Sequence, residues 1–252
     1  MTYIYKIYIN NNYMFVLVDY NKNFEEISNT LNKMEIVPVV LLKINFNNKN
    51  QIKQDIEKIL EIKNKINQKH FAILINLEKQ ENNTNNIIND LKEKFDLILG
   101  QGGLNKTNKF FIEETNIDFL LNSQDSTQKP KIDFIHHFNS GINHILCKES
   151  KLKNIDFIYT LNNLNNKYYS KEIGRINQNL KFARKYNNKI HVNFIIENKN
   201  QIKSIIELNS ILSLFEISTE QKIQSFNILE EKINKNKLKK TENYISKNIN
   251  FI

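Results

Sequence analysis

The feature that most constrains the fold is an alternation. Short apolar runs rich in β-branched and aromatic residues are followed by segments with apolar residues at helical spacing, and this pair recurs seven or eight times along 252 residues with short links. A strand that feeds a helix and returns to a parallel neighbour is the repeating unit of α/β proteins. At this length it predicts a single TIM-like (β/α) barrel, regular or irregular, in which the loops after the strands share one rim.

Strands are expected at residues 3–9, 13–18, 36–42, 71–77, 95–99, 117–121, 132–136, 155–159 and 189–196. Pro38 is compatible with its strand only near the start or at an edge, because it has no N–H to donate. Helices are expected at 23–33, 49–68, 87–94, 104–114, 167–186, 200–208 and 219–232. In the segment 49–68 the apolar stripe is Ile52, Ile56, Ile59, Leu60 and Ile66. The barrel domain is placed at 1–232. Residues 233–252, rich in Lys and Asn, are expected to form a disordered basic tail.

Two stretches stand out at the expected rim. The first is Gly100-Gln101-Gly102-Gly103, between a strand and a helix; it is either a phosphate cradle or a tight turn needing positive φ. It is neither a Walker loop nor GxGxxG. The second is Phe138-Asn139-Ser140-Gly141-Ile142-Asn143-His144-Ile145-Leu146-Cys147-Lys148-Glu149-Ser150. Here Asn139 or Ser140 is expected to cap a helix whose apolar face is Ile142, Ile145 and Leu146. The N–H groups at such a helix start suit an anion, although most capped helices are plain architecture.

The formal net charge is +9. That invites a nucleic-acid partner, but Lys, Asn and Ile dominate everywhere, so a composition bias is a competing cause. Arginine occurs only at Arg175 and Arg184, and lysine offers phosphate a point charge without a bidentate fork. No apolar run is long enough to span a membrane, the N-terminus lacks a signal-peptide core, and the single cysteine, Cys147, agrees with a reducing compartment. A cytoplasmic protein is expected.

Hydrolytic chemistry lacks its usual residues. A metal-dependent phosphoesterase barrel needs several His and carboxylates at strand ends. The five histidines form no such pattern: His136 and His137 are adjacent, which on a strand sends them to opposite faces, and only His137 and His144 could approach each other. No Gly-x-Ser-x-Gly elbow exists, and Cys147 reads as a buried structural thiol. Neither a catalytic residue nor a metal site is assigned.

The second half resembles a known family. The strand Asp96-Leu97-Ile98-Leu99-Gly100 with Asn105 opens the match, which continues through Asn116-Ile117-Asp118-Phe119-Leu120. The motif Ser140-Gly141-Ile142-Asn143-His144-Ile145-Leu146 and the segment Phe182-Ala183-Arg184-Lys185-Tyr186 complete it. These pieces, in this order over about residues 95–230, are similar to the archaeal ribonuclease P protein component 3, the family that includes the thirty-kilodalton subunit of the human enzyme. The chain departs from it at Asn122-Ser123, where the family commonly has His-Pro, and at Ile195-Ile196-Glu197-Asn198. The resemblance implies a barrel related to metal-dependent phosphoesterases but without their metals.

The resemblance also implies a ribonuclease P subunit that helps remove the 5′ leader from precursor tRNA. Catalysis would lie with the RNA and its Mg²⁺ ions, and this chain would bind no cofactor. Its partners would be the catalytic RNA, protein component 2 and other protein subunits, with precursor tRNA contacted indirectly. The motif positions would be Gly100, Asn105, Asp118, Ser140, Gly141, Ile142, Asn143 and His144. Candidate RNA contacts are Lys106, Lys109, Asn143, His144, Lys148, Lys171, Arg175 and Arg184. The two arginines, nine positions apart, face opposite sides of a helix, so at most one touches a given RNA surface while the other pairs with a carboxylate or a partner protein. The alternatives are a stand-alone barrel phosphoesterase with a degenerate metal site, and a basic barrel binding some other protein.

Overall fold

The computed structural model describes residues 14–46, 49–77, 83–126, 131–133, 135–162, 169–241, 244–246 and 249–250. The strand expected at 3–9 lies outside them. Seven strands form one parallel sheet in sequence order: β1 (Met14–Asp19), β2 (Ile36–Phe46), β3 (Phe71–Leu77), β4 (Leu97–Gln101), β5 (Phe119–Leu121), β6 (Asp156–Thr160) and β7 (Ile190–Asn193). Just past β7, Ile196 bridges Val18; its N–H donates to Leu17 O (3.0 Å), and the Asp19 N–H donates to Ile196 O (3.0 Å). These bonds close the ring, giving the expected TIM-like barrel with seven strands. Pro38 sits opposite Val16 of β1, ahead of the stretch from Val40 onward that pairs with β3, so β2 is locally an edge there.

Helices α1 (Phe24–Lys33), α2 (Lys49–Lys65), α3 (Thr84–Lys94), α4 (Asn105–Glu114), α5 (His144–Lys153) and α6 (Tyr169–Tyr186) follow β1 to β6 in turn. Residues of one strand alternate between two cores. Outward residues such as Val16, Val18, Val40, Ile73, Ile98 and Phe157 pack under the helices. Inward residues Phe15, Leu17, Val39, Leu41, Leu74, Leu99, Phe119, Leu121, Ile158 and Ile195 fill the barrel.

After β7 come a short 3₁₀ turn at Lys199–Gln201, α7 (Ile205–Leu212) and the long α8 (Thr219–Lys239). The helix expected at 200–208 therefore starts later, where Ser204 and Glu207 form a capping box. Helix α8 also runs past the boundary expected at Lys232. Ile228, Leu229 and, past that boundary, Ile233 enter the barrel interior from below, so the first residue of the expected tail is part of the core. Beyond it, β8 (Tyr244–Ser246) and β9 (Ile249–Asn250) pair antiparallel.

Three aspartates mark the floor of the barrel, at the strands' N-terminal ends. The Asp96 carboxylate accepts from Phe71 N–H (2.9 Å), and that of Asp118 from Ile98 N–H (2.8 Å). Asp156 pairs with the buried Lys232 of α8 at 2.6 Å, and this lysine also donates to Asn154 O (2.7 Å) and lies over the Phe119 ring. Asp118 is thus a structural clamp on the floor, remote from the rim where a family-motif residue would serve binding.

Candidate nucleic-acid interface

The strand expected at 132–136 is absent among the described residues there: Ile132 is 85 % and Ile135 95 % exposed, in irregular chain. The long connection from β5 to α5 is held instead by side-chain amides. Asn108 of α4 is fully buried; its carbonyl oxygen accepts from Gly103 N–H (3.0 Å), and its amino group donates to Ser123 O (2.8 Å) and Gly141 O (2.9 Å). One side chain therefore joins the glycine turn, the end of β5 and the 138–150 motif. Asn179 of α6 donates to Ser140 O (3.1 Å), and Gln178 both accepts from Phe138 N–H (3.0 Å) and donates to Phe138 O and the Ser140 hydroxyl (both 2.9 Å).

The glycines fit this knot for steric reasons. Gly141 has φ of +80°, and a Cβ there would lie 1.9 Å from Ser123 O. Gly103 has φ of +132°. The turn at 100–103 is not an anion cradle: the Gly102 N–H donates to Leu121 O (2.7 Å) and the Gly103 N–H to Asn108. Gly100 lies within β4, against the Phe111 ring.

Helix α5 starts later than expected, and its cap is Asn143, not Asn139 or Ser140. The Asn143 carbonyl oxygen accepts from both Ile145 N–H (3.0 Å) and Leu146 N–H (2.9 Å). Those bonds occupy the groups that would have met an anion. Ile142, Leu146 and Cys147 are buried, whereas Ile145 is 54 % exposed. Burial pushes the Cys147 thiol up to about 12, so it is unreactive packing.

On the outer surface the motif borders a groove of about 560 Å³ between α4, α5 and α6. Its lining includes Asn105, Lys109, His137, His144, Ile145 and Phe182. Lys106 and Lys148 extend its two walls, each about one turn along its helix from Lys109 and His144. Exposed Lys109 pairs with half-buried Glu113 at 3.6 Å, and the Lys148 ammonium lies 6.0 Å from the Tyr186 ring centroid. Four candidates, Lys106, Lys109, His144 and Lys148, thus gather around one groove. Asn143 reaches it too, with its carbonyl oxygen spent on the cap.

The remaining candidates lie elsewhere. Arg175 is buried, and its guanidinium holds both oxygens of Asp133 (2.9 and 3.1 Å), with further bonds to Ser126 and Lys131 O. It is a strut between α6 and the long connection and has no surface for RNA. The Asp133 carboxyl is held below its ordinary range by the Asn139 N–H and Arg175, against its desolvation, while burial and the neighbouring Arg175 lower Lys131 to about 8. Lys171 is exposed near the start of α6. Arg184, about 20 Å further along that helix, donates to Glu216 O (2.7 Å) and the Gln221 side chain.

The mouth of the barrel, where a phosphoesterase would hold its metals, has a polar lining of the amides Asn45, Asn76, Gln101, Asn122 and Asn162, the hydroxyls of Thr107 and Thr160, and the charged Lys43, Asp125 and Glu197. Among the described residues no three His, Cys, Asp or Glu side chains gather as metal ligands. None of the described helices is long and apolar enough to cross a membrane.

The sequence reading missed Asn108, Gln178 and Asn179, which do most to shape the motif. The one available signal was a polar residue on the buried face of each helix.

No protein-family model matches the chain, and no curated protein sequence does. Solved structures do. A chain in the cryo-EM structure of archaeal ribonuclease P with mature tRNA superposes with a TM-score of 0.71 at 18 % identity, covering 94 % of this chain and 97 % of that one. An amidohydrolase crystal structure matches at TM-score 0.56 and 8 % identity, over 88 % of this chain and 63 % of that one. An uncharacterized protein matches at 0.52 and 6 %, over 87 % and 63 %. The fold is therefore the TIM-like barrel shared by an amidohydrolase and by a chain of archaeal ribonuclease P.

Proposed function

We propose that this chain is a protein subunit of ribonuclease P, bracing the catalytic RNA while that RNA, with its own Mg²⁺, removes the 5′ leader from precursor tRNA. The observation that carries this reading is the match along almost the full length of both chains to a component of archaeal ribonuclease P, far more complete than the matches to the other two barrels. The motif residues Ser140, Gly141, Ile142, Asn143 and His144 lie along the groove flanked by Lys106, Lys109 and Lys148, which agrees with that role.

Lysine ammonium groups on an exposed groove neutralise phosphates and release counterions without reading sequence. His144 and His137 supply ring faces and N–H donors to folded RNA, which proteins recognise mainly by shape and backbone. Protein component 2 and the other subunits are the proposed protein partners, precursor tRNA the indirect one, and the cytoplasm the proposed location. Among the described residues no three His, Cys, Asp or Glu side chains gather as metal ligands, which supports leaving the chemistry to the RNA.

The test is reconstitution. The purified chain should release no leader from precursor tRNA by itself, yet raise the rate when added with component 2 to the catalytic RNA. Replacing Lys106, Lys109 and Lys148 together by alanine should weaken RNA binding and flatten its log–log salt dependence by about 3. Leader release by the protein alone, abolished by a chelator and by His137→Ala, would establish a stand-alone hydrolase instead.

A further inference from the structure

The interior of the barrel changes character with height. Along each strand the inward positions alternate, so the residue two beyond an inward apolar one also faces in. Above Leu17, Leu41, Leu74, Leu99 and Ile158 stand Asp19, Lys43, Asn76, Gln101 and Thr160. A polar layer therefore rests on an apolar one, and above it opens a cavity of about 640 Å³, within the size range of small-molecule sites.

Part of this layer is paired internally. Asn122 and Thr160 exchange two hydrogen bonds, at 2.7 and 2.8 Å, and Asn162 exchanges two with Ile195. Other groups are not. Asn76 donates to the Asn45 carbonyl oxygen (2.9 Å), leaving the Asn45 amino group and the Asn76 carbonyl oxygen with no hydrogen bond among the described residues. The Gln101 amino group reaches Gly102 O (3.2 Å), and its carbonyl oxygen has no hydrogen bond among the described residues. Beside Thr160 in the register, Asn193 is 5 % exposed and its amino group is buried without a partner.

The charge of the cavity selects the occupant. The one lysine of the described lining, Lys43, is paired with Asp19 at 2.8 Å, and the lining also carries the carboxylates of Asp125, which lies in the field of Lys131, and Glu197. The lining therefore offers phosphate no unpaired cation. A neutral planar group with a donor and an acceptor on one edge finds an acceptor in the Asn76 carbonyl oxygen and a donor in the Asn45 amino group, the two amide functions that Asn and Gln use on base edges. Leu74, Leu77, Leu104, Leu121 and Ile195 supply apolar walls for its faces.

We propose that the mouth of the barrel is a nucleobase-binding site, with Asn45, Asn76 and Gln101 holding the base edge. Two sources present this chemistry: a free nucleoside, and an unpaired nucleotide of RNA held along the outer lysines. Only the second rests on the ribonuclease P reading.

The experiment follows the side-chain amide resonances of the full-length protein by NMR. The probes are the four ribonucleosides, ribose 5-phosphate, a short single-stranded RNA and the same RNA with one abasic position. A base-bearing probe should shift the Asn45, Asn76 and Gln101 amides, and ribose 5-phosphate should not. Asn76→Ala and Gln101→Ala, both at the open mouth, should each weaken that binding roughly five- to tenfold. A response to RNA that is lost at the abasic position, with silence toward nucleosides, identifies RNA as the source. Equal shifts from ribose 5-phosphate, unchanged affinity in both variants, or a silent mouth in protein that still binds RNA through its lysines would overturn the site and leave the ribonuclease P reading intact. A mouth that answers nucleosides in a protein that gives no help to the catalytic RNA would do the reverse.

Discussion

At the scale of single residues, amides do the work that charges do in many binding proteins. Asn108 joins three chain segments through three hydrogen bonds at full burial. Asn108→Ala would strand the Gly103 N–H and the Gly141 carbonyl oxygen, each costing about 1 kcal/mol or more when buried and unpaired, whereas Ser123 O keeps the Lys131 ammonium as a donor. The expected loss is about 2 kcal/mol, measured as a lower urea midpoint, together with weaker RNA binding under the proposed function. A change under about 0.5 kcal/mol would show that the knot is held elsewhere. In the sequence its place on the buried face of α4 was the one signal for this residue. Asn and Lys recur throughout the chain, so that signal is easily lost among the solvated asparagines beside it. The lysines around the groove were legible as charges, because exposure is their default. Arg175 misled because its partner, Asp133, is 42 positions away in sequence.

At the scale of elements, the strands could be read directly because parallel strands buried on both faces appear as unbroken apolar runs. The 132–136 segment imitates such a run, but its isoleucines point to solvent. Helix α8 was cut short because its last turns carry many lysines, and the lysine bonds that hold it are long-range. Lys232 meets Asp156, Lys237 meets Asp96 and His70, and Lys240 reaches Phe95 O. The floor it covers also holds two neutral histidines. Burial lowers His191, whose ring N–H donates to Ser225 O of α8, to about 4. Burial, with Lys237 beside it, lowers His70 to about 4. In the unfolded chain both titrate near 6.5, so between pH 6.5 and 4 the unfolded state binds more protons. Stability is then full above 6.5 and drains as the solution is acidified toward 4, by about 3 kcal/mol for His191 alone. Urea unfolding at pH 7 and pH 4.5 should show this loss in the wild-type chain, and His191→Gln should reduce it. An equal acid response in the variant would place the sensitivity elsewhere.

At the scale of the whole molecule, the barrel has one thin seam. Neighbouring strands share continuous ladders, as between β2 and β3 from Val40 to Phe46, but among the described residues the β7 end meets β1 only around Ile196. Native-state hydrogen exchange should therefore find the Asp19 and Ile196 amides opening well before those of Ile73 and Ile75. Equal protection on both sides would mean that the ring opens as one cooperative unit. The plug beneath the ring has a different consequence, set by the order of synthesis. Helix α8 leaves the ribosome after all seven strands, and until it arrives the underside of the nascent ring has neither Ile228, Leu229 and Ile233 to fill it nor a lysine for Asp156. The newborn protein thus carries an open, greasy base until its final helix docks, and that interval is when it most needs a chaperone.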